Sequence, residues 1–306
     1  MQEKKTQQKR VKRNVSGVLL LDKPLGYSSN QALQKVKWLF QAAKAGHTGT
    51  LDPLATGLLP ICLGEATKFA QYLTDADKTY VATIKLGVTT TTGDAEGEVL
   101  ESRSVDVTQQ QFENACQQFL GEISQVPPMY SALKHEGKAL YEYAREGVEI
   151  ERKPRLVTIR DILIQRFDSD VVDIEVTCSK GTYIRTLAED IGQLLGCGAH
   201  LIALRRTATA AYRIQQAYTL DQIEAMSLQQ RDQYLMPVDS AINDLPKVTL
   251  SEEQAYYLLQ GQAIWKAGMV PVGGLRLYDQ DDHFIGLGYL QDDGKIAPKR
   301  LLQKPN

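Results

Sequence analysis

At 306 residues, with 43% hydrophobic and 24% charged content, the chain is globular and long enough to bury one large core and a smaller second one. Its apolar runs, such as Val18-Leu19-Leu20-Leu21 and Leu58-Leu59-Pro60-Ile61-Cys62-Leu63, are far too short to span a bilayer, and no signal-type apolar stretch follows the lysine-rich start, so a cytoplasmic protein without membrane contact is expected. The formal net charge of -2 argues against a uniformly basic nucleic-acid binder but leaves room for local basic patches, while Cys62, Cys116, Cys178 and Cys197 lack CxxC spacing and predict buried free thiols with no metal site.

Residues 1–16 read as a basic flexible tail in which Lys4, Lys5, Lys9, Arg10, Lys12 and Arg13 are opposed only by Glu3. Gly17-Val18-Leu19-Leu20-Leu21-Asp22 predicts a buried strand that ends at Lys23-Pro24. Ser28, Ser29 and Asn30 offer cap oxygens to a helix with Leu33, Val36, Leu39 and Phe40 at helical spacing. Next comes Gly46-His47-Thr48-Gly49-Thr50-Leu51-Asp52-Pro53-Leu54-Ala55-Thr56-Gly57, which sets one carboxylate among permissive glycines and a φ-fixing proline. An Asp-Pro pair alone reads as a turn whose acid caps a backbone N–H. The segment as a whole reads as a loop that holds the Asp52 side chain still.

Thr79 to Leu86 alternates as a strand with Tyr80, Ala82, Ile84 and Leu86 on one face, and 89–97 reads as a polar loop. Thr108 caps a predicted helix carrying Phe112, Cys116, Phe119 and Leu120, after which Val126-Pro127-Pro128-Met129 must run extended. A loop-rich basic insertion follows, with a short helix near 140–144, then strands over 157–167 and 171–178 and a helix striped by Ile184, Leu187, Ile191 and Leu194. Strands and helices without a βαβ rhythm predict an α+β fold with antiparallel pairing. Beyond Leu245-Pro246, a helix capped by Ser251 and short strands over 274–278 and 284–289 predict a small β-rich appendage, and acids such as Asp279, Asp281, Asp282, Asp292 and Asp293 gather there.

The Asp52 loop closely resembles the catalytic loop of the TruB-type tRNA pseudouridine synthases. Four further segments carry the same likeness: Leu21-Asp22-Lys23-Pro24-x-Gly26, Lys78-Thr79-Tyr80, Val126-Pro127-Pro128-x-Tyr130-Ser131-Ala132, and Cys178-Ser179-Lys180-Gly181-Thr182-Tyr183-Ile184-Arg185. The resemblance implies three parts: a basic tail over 1–16, a pseudouridine synthase catalytic domain with a mixed, mainly antiparallel sheet over 17–248, and a PUA-like RNA-binding domain over 249–306. It implies an isomerase that converts the uridine at position 55 of the tRNA T-loop. The partner is then the T-stem-loop, with no cofactor, guide RNA or obligate protein partner, and the chain works as a monomer.

By the same resemblance Asp52 is the essential carboxylate, Arg185 its cationic partner, and Tyr80 the ring that stacks on the base and takes the C5 proton. Base stacking of this kind is worth about 1–3 kcal/mol. Attack at C1′, addition to the uracil ring and removal of the 2′ proton all remain open to Asp52. His47 would help flip the uridine, Tyr183 and Leu204 would line the pocket, and Lys23 and Pro24 would buttress the loop. Taken from spacing alone, Arg185 pairs with Glu189 at i,i+4 on a helix surface, Tyr80 and Leu204 are core residues, and His47 is a polar turn residue. The family's glycine and phenylalanine after the Leu204 strand are replaced by Ala210 or Ala211 and Tyr212, so only strand packing and phosphate contact by Arg205 or Arg206 are expected there. The competing readings are a guide-dependent relative, an idle RNA-binding module and an aspartate-dependent nucleoside hydrolase. The last lacks a second placed carboxylate.

Overall fold

The computed structural model describes residues 12–269 and 273–303, and order begins earlier than the flexible-tail reading allows. Arg13 grips Asp232 at 2.8 Å, its N–H donates to Gln41 O at 2.8 Å, and Val15 packs on the core. A two-pronged arginine–carboxylate contact and a half-buried valine offset the entropy lost in fixing 12–16. The basic residues Lys4, Lys5, Lys9 and Arg10 lie outside the described residues.

The apolar run forms β1 (Gly17–Lys23), buried over Val18 to Leu21. Ser28 caps α1 (Ser29–Leu39) through a reciprocal pair of bonds with Gln31. Then come β2 (Ala45–His47), the Asp52 loop, β3 (Ala55–Leu63), α2 (Ala70–Asp75) and β4 (Lys78–Leu86). Residues 89–97 are more than the polar loop expected. β5 (Val88–Thr90) pairs with β6 (Val99–Ser102), and the turn between them encloses a buried Asp94. The threonine run, polar in composition, is β-branched in shape and suits a strand entry.

Thr108 caps α3 (Gln109–Gln117), and β7 (Gly121–Gln125) follows as an edge strand that Gly-Glu-Ile-Ser-Gln does not advertise. The insertion holds two-residue strands β8 (Lys134–His135) and β9 (Lys138–Ala139) and the short α4 (Leu140–Arg145). β10 (Arg155–Asp168) and β11 (Val171–Cys178) form a long hairpin. α5 (Ile184–Leu194) buries Ile184, Leu187, Ala188 and Ile191, whereas Leu194 at its end is exposed and leaves the expected stripe. β12 (Ala199–Thr209), β13 (Tyr212–Arg213), β14 (Tyr218–Thr219), α6 (Leu220–Ala225) and α7 (Leu228–Gln233) complete the body.

The body's sheet runs β14-β1-β3-β12-β4-β11-β10-β7, antiparallel except where β14 meets β1 and β12 meets β3. It is the α+β, mainly antiparallel architecture expected. The register of β12 positions the site: Leu204 stands between Ala55 and Ala82, and Arg206 stands between Gly57 and Tyr80. The end of the Asp52 loop, the arginine strand and the tyrosine strand are therefore immediate neighbours. Tyr80 and Leu204 both touch the core under α5 and the separate core under α1, so they sit at the seam of the two.

A second sheet, ordered β15-β17-β18-β19-β16, is built from β15 (Lys247–Thr249), β16 (Ile264–Trp265), β17 (Gly274–Tyr278), β18 (Phe284–Leu290) and β19 (Lys295–Leu301), with α8 (Glu252–Leu259) against it. Because β15 pairs with β17, the second unit begins at Lys247, and a boundary at 248 cuts through its first strand. The two units share a core in which Leu287 is buried among Val18, Leu58, Phe69 and Ile242. The Phe69 and Phe284 rings meet across it at 5.5 Å. No helix among the described residues is long and apolar enough to cross a membrane.

Candidate active site

The Asp52 loop is anchored on both sides of its acid. Ser29 Oγ accepts the Leu51 N–H at 2.7 Å and lies 3.0 Å from Leu51 O, Gly26 N–H donates to Pro53 O at 2.9 Å, and Ala55 N–H closes a turn onto Asp52 O at 3.0 Å. Ser29, offered by the sequence as a helix cap, instead clamps the loop, while Ser28 does the capping. Gly57 is required on two counts. Its φ is +102°, and a Cβ there would lie 2.3 Å from Arg206 O. Gly46, in contrast, has ordinary φ and open space beside it, so the loop places no special demand on it.

Arg185 is the centre of the charge network. Its Nη2 reaches Asp52 Oδ2 at 2.9 Å and Tyr130 O at 2.6 Å, and its Nη1 reaches Thr92 O at 3.0 Å and Asp94 Oδ2 at 3.4 Å. The surface pair with Glu189 is not formed: Arg185 is buried, and the Glu189 carboxyl packs against Gly93 of the Asp94 turn. Asp94 itself accepts from Thr92 Oγ1 at 2.5 Å and from Glu96 N–H at 3.0 Å. Sequence reasoning missed Asp94 because an acid in a polar run looks solvated. Its signal is indirect, in that a buried arginine flanked by one acid needs further acceptors.

Burial pushes the Asp52 carboxyl above the ordinary range. Arg185 pulls it back, and the Asp94 charge pushes it up again. The carboxylate still faces the cavity, with its side chain 40% exposed. That cavity, of about 680 Å³, is lined by Asp52, His47, Tyr80, Tyr183, Arg185 and Leu204, which the structure brings together from four separate segments. Tyr183 enters as the cap residue of α5, its N–H held by Gln125 Oε1 at 2.9 Å, which gives the inconspicuous β7 a positioning task.

Lys23 lies behind the loop, fully buried, donating to Pro24 O at 3.0 Å and Tyr27 O at 2.6 Å. Burial lowers its pKa to about 8, with the Asp52 charge acting against that fall. His47 is held below its usual pKa, first by burial and then by the Arg206 charge, so its ring is neutral at neutral pH, and its Nδ1 is buried without a hydrogen-bond partner. Burial raises the Tyr80 phenol, and Arg206 opposes the rise.

Phosphate contact by Arg206 is ruled out by its burial. Its Nε donates to Leu58 O at 2.7 Å and its Nη2 to Gly49 O at 3.2 Å, so it ties both ends of the Asp52 loop to β12. Arg205 is committed to a fork on Asp22 at 2.7 and 3.0 Å. The sequence offers Arg205 or Arg206 for phosphate contact; alternation on a strand does not reveal which acceptors lie beside each, and of the two only Arg205 keeps its side chain partly exposed. Among the described residues, one acid-histidine group could hold a metal, Asp279, Asp281 and His283, in the β17–β18 turn and away from the cavity.

Three family models match successive parts of the chain: the TruB family pseudouridylate synthase N-terminal domain over 37–184, the tRNA pseudouridylate synthase B C-terminal domain over 185–243, and the pseudouridine synthase II TruB C-terminal model over 246–302. The tRNA pseudouridine synthase B of Methylobacillus flagellatus is 62% identical over 97% of this chain and 98% of its own length, and that of Pseudomonas aeruginosa is 54% identical over 97% and 99%. The chain belongs to the TruB family of pseudouridine synthases.

A TruB-family chain is an isomerase acting on tRNA uridine, and the Asp52 cavity is the part of this one that the family's N-terminal model largely contains. A solved Cbf5-Nop10-Gar1 complex contains a chain with the same TruB-like fold at TM-score 0.71 and 27% identity, covering 94% of this chain and 84% of that one. An archaeal box H/ACA sRNP Nop10-Cbf5 complex matches at TM-score 0.69 and 24% identity over 93% and 85%, which adds a likeness of fold.

Proposed function

We propose that this chain converts the uridine at position 55 of the tRNA T-loop to pseudouridine, with Asp52 as the essential carboxylate, acting as a monomer without guide RNA, protein partner or cofactor. The observation that carries this reading is the 2.9 Å contact between a buried Arg185 and an Asp52 that opens into a cavity beside Tyr80. Near-full-length identity to proteins named tRNA pseudouridine synthase B supports the substrate.

The reaction breaks the bond between ribose C1′ and uracil N1, turns the base and joins C1′ to C5. The C5 proton departs and N1 gains one, so the change is an isomerisation with no net oxidation or hydrolysis, and it calls for no redox group. Asp52 meets the ribose or the uracil ring as a nucleophile, or the ribose as a base; burial raises its pKa, and Arg185 opposes that rise and so favours its ionised form. Tyr80 supports the base with its ring, and while burial raises its phenol above the usual range, the Arg206 charge opposes that rise and eases proton acceptance by the oxygen. Neutral His47 at the rim fills space left when the uridine leaves its stack, a step costing a few kcal/mol.

The test is an incubation of the purified chain alone with an unmodified tRNA transcript, with pseudouridine mapped by chemical modification and primer extension. A single stop in the T-loop at position 55 is expected, absent with Asp52→Asn. Conversion only after addition of a guide RNA or further proteins would contradict the stand-alone reading.

A further inference from the structure

Among the side chains that line the catalytic cavity, a buried serine has had no task so far. Ser131 is 3% exposed and lines the cavity with Asp52, Tyr80, Tyr183 and Arg185, and its Oγ has no hydrogen-bond partner. The backbone around it is fixed. Its N–H donates to Met129 O at 2.9 Å, its carbonyl accepts from Tyr141 N–H at 3.1 Å, and the carbonyl one residue earlier, Tyr130 O, takes Arg185 Nη2 at 2.6 Å. The strap that holds the catalytic arginine therefore also holds this hydroxyl. The Tyr183 phenol is close enough to feel it, yet no hydrogen bond of good geometry closes between them. A buried hydroxyl left unpaired is costly, and Ser131 lines the cavity through which a partner can reach it.

We propose that Ser131 Oγ donates a hydrogen bond to a carbonyl oxygen of the target uracil and holds the base while it turns between leaving and rejoining the ribose. The chemistry of the turn selects a group of this kind. A half-turn about the line through N3 and C6 exchanges N1 with C5 and, at the same time, O2 with O4. A donor facing one carbonyl before the turn faces the other afterwards, and during the turn a hydroxyl can accept from N3–H through its lone pairs. A rotor with one proton and two acceptor sites keeps a partner throughout, which a fixed N–H donor does not. Ser131 would thus be a substrate-holding residue, and Asp52 remains the group that acts on the sugar.

This rests on the cavity being the uridine site, so the experiment includes a control for that reading. Single-turnover rates are measured at saturating T-arm RNA carrying uridine, 2-thiouridine or 4-thiouridine at the target, for the unmodified chain, Ser131→Ala, Ser131→Thr and Asp52→Asn. Ser131→Ala is expected to slow uridine conversion about tenfold, the effect of one hydrogen bond, with RNA affinity unchanged and melting temperature unchanged or higher, and Ser131→Thr should restore most of the rate. Sulfur is a poorer acceptor, so one or both thio substrates should slow the unmodified chain more than they slow Ser131→Ala. Equal thio penalties in both, or a normal uridine rate in Ser131→Ala, would overturn the proposal while an inactive Asp52→Asn left the site intact. An active Asp52→Asn would remove the site reading itself. If Ser131→Ala melts early, Ser131→Cys keeps the volume and takes its place in the comparison.

Discussion

Arg185 Nη2 stands 2.9 Å from Asp52 Oδ2, and the two side chains are unequally exposed, 5% for the cation and 40% for the acid. The guanidinium is held by two acids and two carbonyls, so it is fixed whether or not substrate is present. The carboxylate keeps one side toward the cavity, free to act on what enters. The network thus supplies a preset positive charge beside a carboxylate that is costly to bury, which is the arrangement that keeps a buried acid reactive.

Removing the cation leaves Asp52 and Asp94 facing one another without compensation. Arg185→Met is expected to cost about 3–5 kcal/mol of stability in urea unfolding, the range for stripping one partner from a buried pair. Arg185→Lys should lose less stability, since the charge remains. A compact ammonium does not span four acceptors, so the rate at saturating RNA should still fall about 100-fold. Equal rates for Lys and Arg at this position would show that only charge is needed.

Asp52→Asn has the opposite stability sign. The folded-state pKa of Asp52 is raised, so folding favours its protonated form, and stability from this group is present at low pH and lost as pH rises through the folded value. Asparagine abolishes that loss, and Arg185 keeps Asp94 as its partner. At pH 7 the variant should melt at the same temperature as the unmodified chain or higher, with the advantage vanishing below pH 4, while conversion disappears. A large drop in melting temperature at pH 7 would mean that the acid is chiefly a structural anchor.

The parts of this site legible in the sequence were those with a constrained backbone around them. Gly49, Gly57 and Pro53 about Asp52 and the alternation that put Tyr80 on an inward face each state a local geometry, and these are formed. Asp94 and Arg206 were not legible, because their roles depend on neighbours far along the chain: Arg185 is 91 residues away from Asp94, and Arg206 bonds carbonyls near residues 49 and 58. β7 and the two-residue strands escaped for the same reason. Their pairing comes from tertiary contact, and their own composition carries little signal.

Lys23 gives the protein a measurable alkaline signature. Its pKa falls from 10.5 unfolded to about 8 folded, so between those values the unfolded chain binds the extra proton, and stability rises with pH. Lys78, buried against the carbonyls that end α2, is lowered to about 8 as well and adds to the slope. Urea unfolding at pH 7 and 8, below the range where the buried Cys62, Cys116 and Cys178 thiols act in the opposite sense, should show stability increasing with pH, less steeply in Lys23→Met. An unchanged slope in that variant would remove Lys23 as a cause.

Truncation before Lys247 tests whether the second unit only adds RNA contact. Leu287 and Phe284 complete a core with Val18, Leu58 and Phe69, so their loss exposes part of the body's own interior. The shortened chain should be less stable by several kcal/mol, about the sum of one or two large core deletions, and KM should rise more than kcat falls when assayed below its lowered melting temperature. Full retention of stability would show that the body's surface closes without the second sheet.

Tyr80 separates ring from hydroxyl. Because the ring bridges two cores as well as facing the cavity, Tyr80→Leu should lower both melting temperature and RNA conversion, and that variant alone cannot assign a role. Tyr80→Phe keeps the ring, the packing and nearly all stacking while removing the oxygen proposed to take the proton. Its RNA affinity and melting temperature should match the unmodified chain, and its single-turnover rate should fall by about 100-fold, the lower end of what a positioned general base contributes. Burial raises the phenol's pKa, so the phenolate fraction grows with each step toward alkaline pH, and the rate of the unmodified chain should climb correspondingly. Tyr80→Phe should lack that climb. A phenylalanine variant with the unmodified rate and the same pH profile would assign Tyr80 to stacking alone and move the proton from C5 to another acceptor in the cavity.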